Sequence, residues 1–102
     1  MSQFTYKLTT ESELFSFDFN PVLQANESID TASCTMVTQQ GTDEHPEDML
    51  SGLPVISLGK ATQRIEGGLS DNIYRAIMTV VTNHNNTYTC VGDIPVYSPE
   101  SI

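Results

Sequence analysis

Residues 49–96 run M-L-S-G-L-P-V-I-S-L-G-K-A-T-Q-R-I-E-G-G-L-S-D-N-I-Y-R-A-I-M-T-V-V-T-N-H-N-N-T-Y-T-C-V-G-D-I-P-V. Pro54 to Leu58 is a short strand that Gly59 breaks. Lys60 to Glu66 then alternates, with Ala61, Gln63 and Ile65 on one face and Thr62 and Arg64 on the other. That two-residue period is the mark of a half-buried strand. Gly67-Gly68 supplies the positive φ values of a tight turn. Asp71-Asn72 lead into the longest run, Ile73 to Thr82, where Tyr74, Ala76, Met78 and Val80 alternate with Arg75, Ile77, Thr79 and Val81. Apolar residues on both faces predict a central strand. Asn83-His84-Asn85-Asn86 is a hairpin connection, since Asn tolerates left-handed backbone, and Thr87 to Val96 forms the return strand. This is the back half of a small β-sandwich, with Tyr74 placed like the tyrosine corner at the head of the penultimate strand.

The front half fits the same plan. In L-F-S-F-D-F, Phe15, Phe17 and Phe19 share one face, and Asn20-Pro21 ends the strand because proline cannot donate to a ladder. Val22 and Leu23 are expected at the core's edge, before a polar turn at residues 25–27. The next strand covers about residues 29–38, with Ala32, Cys34 and Met36 on one face. Q-Q-G-T-D-E-H-P-E-D is a loop by composition, and Met49 and Leu50 pin it back on the sandwich. Residues 1–13 are polar, with Phe4, Tyr6 and Leu8 alternating. They are an extra edge strand or an arm that orders on a neighbour, and the polar spacer Thr9 to Glu13 favours the arm. The expected organisation is an arm or edge strand at 1–13, an antiparallel immunoglobulin-like β-sandwich of six to eight strands at 14–98, and a tail at 99–102.

Bulk properties narrow the function. With 102 residues the chain is one domain with a single core. Four basic against thirteen acidic residues give a net charge of −9. So little positive charge argues against a nucleic-acid backbone or an anionic membrane as partner. It favours docking on a basic or neutral protein surface. The N-terminus lacks the pattern of a signal peptide, and no apolar stretch is long enough to span a bilayer. Cytoplasmic synthesis makes Cys34 and Cys90 two buried thiols by default, with a bridge between them the lesser reading. The immunoglobulin bridge would need a cysteine two residues after the corner tyrosine, where Ala76 stands.

No constellation of side chains points to catalysis. Asp43, Glu44, Glu47 and Asp48 lack the spacing and glycine of a calcium loop, so a solvated acidic loop outweighs a metal site. Docking on a basic patch is its better functional use. His45 and the hairpin-tip His84 have no nucleophile at suggestive spacing, and no G-x-S-x-G elbow exists. Gly67-Gly68 is not a phosphate loop. Asn26-Glu27-Ser28 and Asn85-Asn86-Thr87 match the glycosylation tripeptide by chance. Arg64 and Arg75 are expected to face one another across adjacent strands, or to pair with Glu66 and Asp71. No enzyme and no cofactor emerge.

Several strings together carry a resemblance. They are Phe17-Asp18-Phe19-x-Pro21-x-Leu23-x-Ala25-x-Glu27-x-Ile29, Gly41-Thr42-Asp43, Asp48-Met49-Leu50-Ser51-Gly52-x-Pro54-x-Ile56, and Gln63-x-x-x-Gly67-Gly68 with Tyr74. Over about residues 15–97 the chain resembles small immunoglobulin-like structural proteins of tailed bacteriophages and prophages, some labelled fibre–tail adaptors. The resemblance implies a non-enzymatic virion component in many symmetric copies, made in the bacterial host cytoplasm. Its partners would be other virion proteins of the connector, tail, fibre or capsid. A tail or connector adaptor that attaches fibres or tail parts comes first, and a capsid decoration protein second. A bacterial β-sandwich binding module outside any virion is the alternative of another class. The interaction residues expected are Phe4, Tyr6 and Leu8 of the arm, Asp43, Glu44, Glu47 and Asp48 of the acidic loop, and His84 and Asn85 of the hairpin tip. Removing residues 1–12 is expected to leave a folded monomer that no longer joins its assembly.

Overall fold

The computed structural model describes residues 2–101. Its strands are β1 (Ser2–Gln3), β2 (Lys7–Leu8), β3 (Ser12–Asp18), β4 (Ile29–Gln40), β5 (Leu50–Ser57), β6 (Lys60–Glu66), β7 (Asn72–Thr82) and β8 (Thr87–Tyr97). Single 3-10 turns occupy Pro46–Met49 and Pro99–Ser101. One sheet has the order β3-β6-β5, and the other β1-β8-β7-β4 with β2 also paired to β8. The pairs β3–β6, β5–β6, β4–β7 and β7–β8 are antiparallel. This is the connectivity of an immunoglobulin sandwich, β3 to β8 standing for its strands B to G. β1 and β2 run parallel to β8.

The strands bury the residues that alternation predicts. Phe15 and Phe17 of β3, Ala61 and Ile65 of β6, and Tyr74, Ala76, Met78 and Val80 of β7 all enter the core. Met36, Met49, Ile94 and Val96 complete its centre. Cys34 and Cys90 both lie directly opposite Met78, on either side of β7. Two strand spacings separate them by about 9–10 Å, beyond the roughly 7 Å between Cα atoms that a disulfide can bridge. Both are free thiols, and burial pushes that of Cys34 up to about 11.

β5 differs from its sequence reading. It begins at Leu50, not Pro54, and between Ser51 and Val55 its register slips against β6. Gly52, Leu53 and Pro54 form a bulge there, with Gly52 at φ 73°. The buried Gln63 amide fills it, Nε2 donating to the carbonyls of Ser51 and Gly52 at 3.2 and 3.1 Å. The bulge breaks the alternation that would otherwise have revealed the strand. Leu58, assigned to a strand from sequence, is in the β5–β6 turn at φ 52° and is 90% exposed.

The arginine pairings also differ. β6 and β7 belong to different sheets, so Arg64 and Arg75 are not cross-strand neighbours. Arg75 stands opposite Asp93 on β8 and grips it with two bonds, Nε to Oδ1 at 2.7 Å and Nη2 to Oδ2 at 3.1 Å. This fork holds the Asp93 carboxyl below its usual range. Arg64 Nη1 donates to Ser12 Oγ at 3.2 Å.

The N-terminal segment takes the edge-strand form, on the edge of β8. Phe4 turns inward and meets Phe15 and Phe17 edge-on, with ring centroids 5.0 and 5.3 Å apart. It fits because residue 92 is glycine. A β-carbon there would lie 2.3 Å from Phe4 Cε2. Lys7 is fully buried, its Nζ donating to the carbonyls of Leu8 at 2.8 Å and Gly67 at 2.6 Å. Removing residues 1–12 would therefore strip core contacts, against the expectation of an independently folded remainder.

At the opposite end Glu27 ties the β3–β4 loop to the β7–β8 hairpin. Its carboxylate accepts from Thr82 Oγ1 at 2.6 Å, Asn86 Nδ2 at 2.9 Å and the Gln24 amide at 2.9 Å. The Thr82 and Gln24 bonds lead in depressing its pKa to about 2 from an ordinary 4.5. Because the folded value is the lower one, Glu27 stabilises the fold above pH 4.5. That contribution is lost as pH falls toward 2.

Two outcomes are expected. Replacing Gly92 with alanine should evict Phe4 and cost about 2 kcal/mol, near the lower end of large core perturbations. Urea unfolding measures it, and a cost under about 0.5 kcal/mol would show that the arm does not support the core. Between pH 4.5 and 2 the wild type should lose more stability than Glu27→Gln. Parallel stability–pH curves for the two would contradict the assigned role of this carboxylate.

Candidate interaction surface

The loop between β4 and β5 is built from the tyrosine corner outward. Tyr74, fully buried at the head of β7, accepts the Leu69 amide on its Oη at 2.8 Å and donates to Asp43 Oδ2 at 2.7 Å. Burial is the main cause that pushes its phenol up to about 12, and the Asp43 carboxylate adds to the rise. Asp43 also accepts the His45 amide on Oδ1 at 2.9 Å, and its carbonyl takes the Thr38 hydroxyl at 2.8 Å. Asn72, buried at the start of β7, holds the amides of Thr42 and Asp43 on its Oδ1 at 2.9 and 3.2 Å. The loop is polar in sequence but fixed in place.

That scaffold presents an open cleft of about 550 Å³ between the acidic loop and the Gly67-Gly68 turn. Asp43, His45 and Asp48 line one side, Glu66 to Leu69 the other, and buried Met49 also lines it. Glu44, Glu47 and Asp48 are exposed, and His45 Nδ1 lies 3.7 Å from Glu47. β3, β5 and β7 begin at this end, and β4, β6 and β8 finish there. Glu11, Glu13, Asp43, Glu44, Glu47, Asp48, Glu66, Asp71 and Glu100 therefore belong to this end by chain position, with Asp18, Glu27 and Asp30 toward the other. Lys7, which could offset them at the surface, is inside.

The residues singled out from sequence fall into three places. Phe4 is partly buried and packs against the core, Leu8 is half-buried in β2, and Tyr6 is exposed with its ring edge-on to Tyr97 at 5.9 Å. Asp43 is an internal acceptor, whereas Glu44, Glu47 and Asp48 face solvent at the acidic end. His84 and Asn85 are exposed at the β7–β8 turn, the whole length of β7 away. The arm, the loop and the hairpin tip thus do not converge on one surface. Sequence reasoning missed the buried polar residues Lys7, Glu27 and Asn72 that hold these elements. Glu27 and Asn72 could have been signalled by the turns they adjoin, at Asn26 and at Gly67-Gly68, whereas Lys7 has no such neighbour in the sequence. Among the described residues, no group of His, Cys, Asp and Glu has metal-site geometry. Among the same residues, no helix is long and apolar enough to cross a membrane.

The family model described as podophage GP4 fiber-tail adaptor protein gp77 matches residues 7–91. That span runs from the buried Lys7 across the tyrosine corner to Val91 on β8. No curated protein matches the chain.

Tyr74→Phe should cost about 2 kcal/mol, because it leaves the Leu69 amide and the Asp43 carboxylate without a shared partner. Amide exchange should accelerate selectively over residues 41–49 and 67–70. Unchanged exchange there would separate the acidic loop from the tyrosine corner.

Proposed function

The chain belongs to the podophage GP4 fiber-tail adaptor family gp77, and from that premise we propose that it joins fibre to tail by seating its acidic end on a basic partner surface. A phage tail adaptor is a structural protein of the virion and interacts with other tail and fibre proteins. The family match carries the adaptor role. The acidic end supports the finer reading, because its loops are fixed by internal bonds while its outer carboxylates are left to solvent. A preformed charged surface binds with little ordering cost and speeds encounter with an oppositely charged partner. The sandwich works as a spacer in symmetric copies around the tail axis, and it performs no chemistry.

A triple variant tests this. Glu44→Lys, Glu47→Lys and Asp48→Lys change exposed side chains of the acidic loop, so the fold should lose no more than about 0.5 kcal/mol per site. Incorporation into particles should fall at least tenfold. Particles that incorporate the folded variant at the wild-type level would overturn docking through this end. Quantitative protein analysis of the same particles gives the copy number. Roughly six or twelve copies fit an adaptor ring, and on the order of hundreds would fit a shell decoration instead.

A further inference from the structure

The sheet β3-β6-β5 has an open side. In the seven-strand immunoglobulin plan another strand lies beside the one that β3 represents. Here the N-terminal segment goes entirely to β8, and among the described residues no strand pairs the outer edge of β3. The other sheet edges are blunted over at least part of their length. The arm covers β8 between Gly92 and Tyr97, the Gly52–Pro54 bulge interrupts β5, and β4 is irregular at both ends with β5 and Pro46–Met49 against it. β3 keeps unbroken register with β6 from Ser12 to Asp18 and contains no proline, lysine or bulge, the devices that protect edges.

Hydrogen-bond alternation shows what this edge offers. The Phe19 amide donates to the Gly59 carbonyl at 3.0 Å, one step beyond the Asp18–Lys60 pair. Hydrogen-bonded pairs alternate along an antiparallel ladder. Phe15 and Phe17 therefore bond β6, while Leu14 and Ser16 turn their N–H and C=O groups to the open side. Leu14 is 58% exposed beside that slot.

We propose that β3 accepts an extended, lysine- or arginine-bearing segment of another virion protein as an added strand. This deepens the adaptor reading and rests on it for the source of the segment. The main-chain groups of Leu14 and Ser16 supply the ladder, and Leu14 supplies an apolar contact. Charge selects the occupant. Glu13 and Asp18 are exposed on β3 and Glu11 precedes them. The nearby cations are on β6, where Lys60 stands opposite Asp18 and Arg64 is bonded to Ser12. Glu11 and Glu13 are therefore the carboxylates that face an added strand without such a neighbour opposite. A second copy would bring these carboxylates to one seam between two chains of charge −9, and like charges across strands destabilise pairing.

The probe is a synthetic heptapeptide of alternating valine and threonine with lysine at both ends, set against one with glutamate ends. The lysine peptide should slow exchange of the Leu14 and Ser16 amides at least tenfold, and the glutamate peptide should bind at least tenfold more weakly. Ser16→Pro removes an outward N–H that β6 does not use, so the protein should stay folded and lose the peptide. Should that variant unfold, Glu13→Lys serves instead and should narrow the preference for the lysine peptide. No protection at any soluble concentration, protection centred on another strand, or equal binding of the two peptides would falsify the proposal. Particles separate it from the adaptor reading. Wild-type protein missing from particles sinks that reading and leaves the peptide result standing. Folded Ser16→Pro protein that joins particles and carries fibres normally overturns the edge proposal alone.

Discussion

The seat of Phe4 over Gly92 decides how the rest of this sandwich is arranged. One missing β-carbon on β8 makes room for an aromatic ring that reaches both Phe15 and Phe17 on the other sheet. The contact draws the N-terminus to β8, where the Phe4 amide bonds Asp93 and the Thr9 amide bonds Tyr97, each at 2.9 Å. Three consequences follow from that choice of side. The outer edge of β8 is covered between Gly92 and Tyr97, Lys7 is carried to the Gly67 turn, and among the described residues the place beside β3 stays empty. A chain of this size has a small core, so a ring bridging both sheets counts for more than in a larger domain.

The two ends of the molecule are held by one principle. Each uses a buried ionisable side chain that serves several elements at once. Lys7 joins the arm to the β6–β7 turn, and Glu27 joins the β3–β4 loop to the β7–β8 hairpin. Burying an ammonium is costly, and burial does lower the Lys7 pKa, but Glu11, Glu13 and Glu66 oppose that shift. The carboxylates that make this end acidic therefore also offset part of the cost of burying its amine. Polar loops that would otherwise fray become fixed surfaces.

The strands were legible wherever alternation is clean. Phe15 and Phe17, Ala61 to Ile65, and Tyr74 to Val80 bury the face that the two-residue period assigns to them. Tyr74 was legible as a corner because its position after the glycine turn is a local signal. The start of β5 was hidden, since Gly52 and Pro54 ordinarily mark a break and here mark a bulge closed by Gln63. The side taken by the N-terminal segment was hidden too. It depends on the pairing of residue 4 with residue 92, a contact between chain ends that no local pattern encodes. Charged residues that became internal, Lys7 and Glu27, look like any solvated lysine or glutamate until the turns around them close.

The acidic end and the open β3 edge are neighbours, because β3 begins where β6 finishes, with Ser12 opposite Glu66. The molecule extends 47 Å along its length, several times the Debye length of about 8 Å in physiological salt. The carboxylates of the far end therefore add little to the field at this one. A basic segment approaching the acidic end is attracted by a field that falls away along β3. It is then offered main-chain partners in the same direction. Charge gathers the segment and the ladder fixes its register, so the two features divide encounter from specificity. The division also explains why the apolar content of β3 faces inward and leaves only Leu14 outside. An edge with a more hydrophobic outer face would recruit unpaired strands indiscriminately, whereas an acidic one waits for a segment of opposite charge.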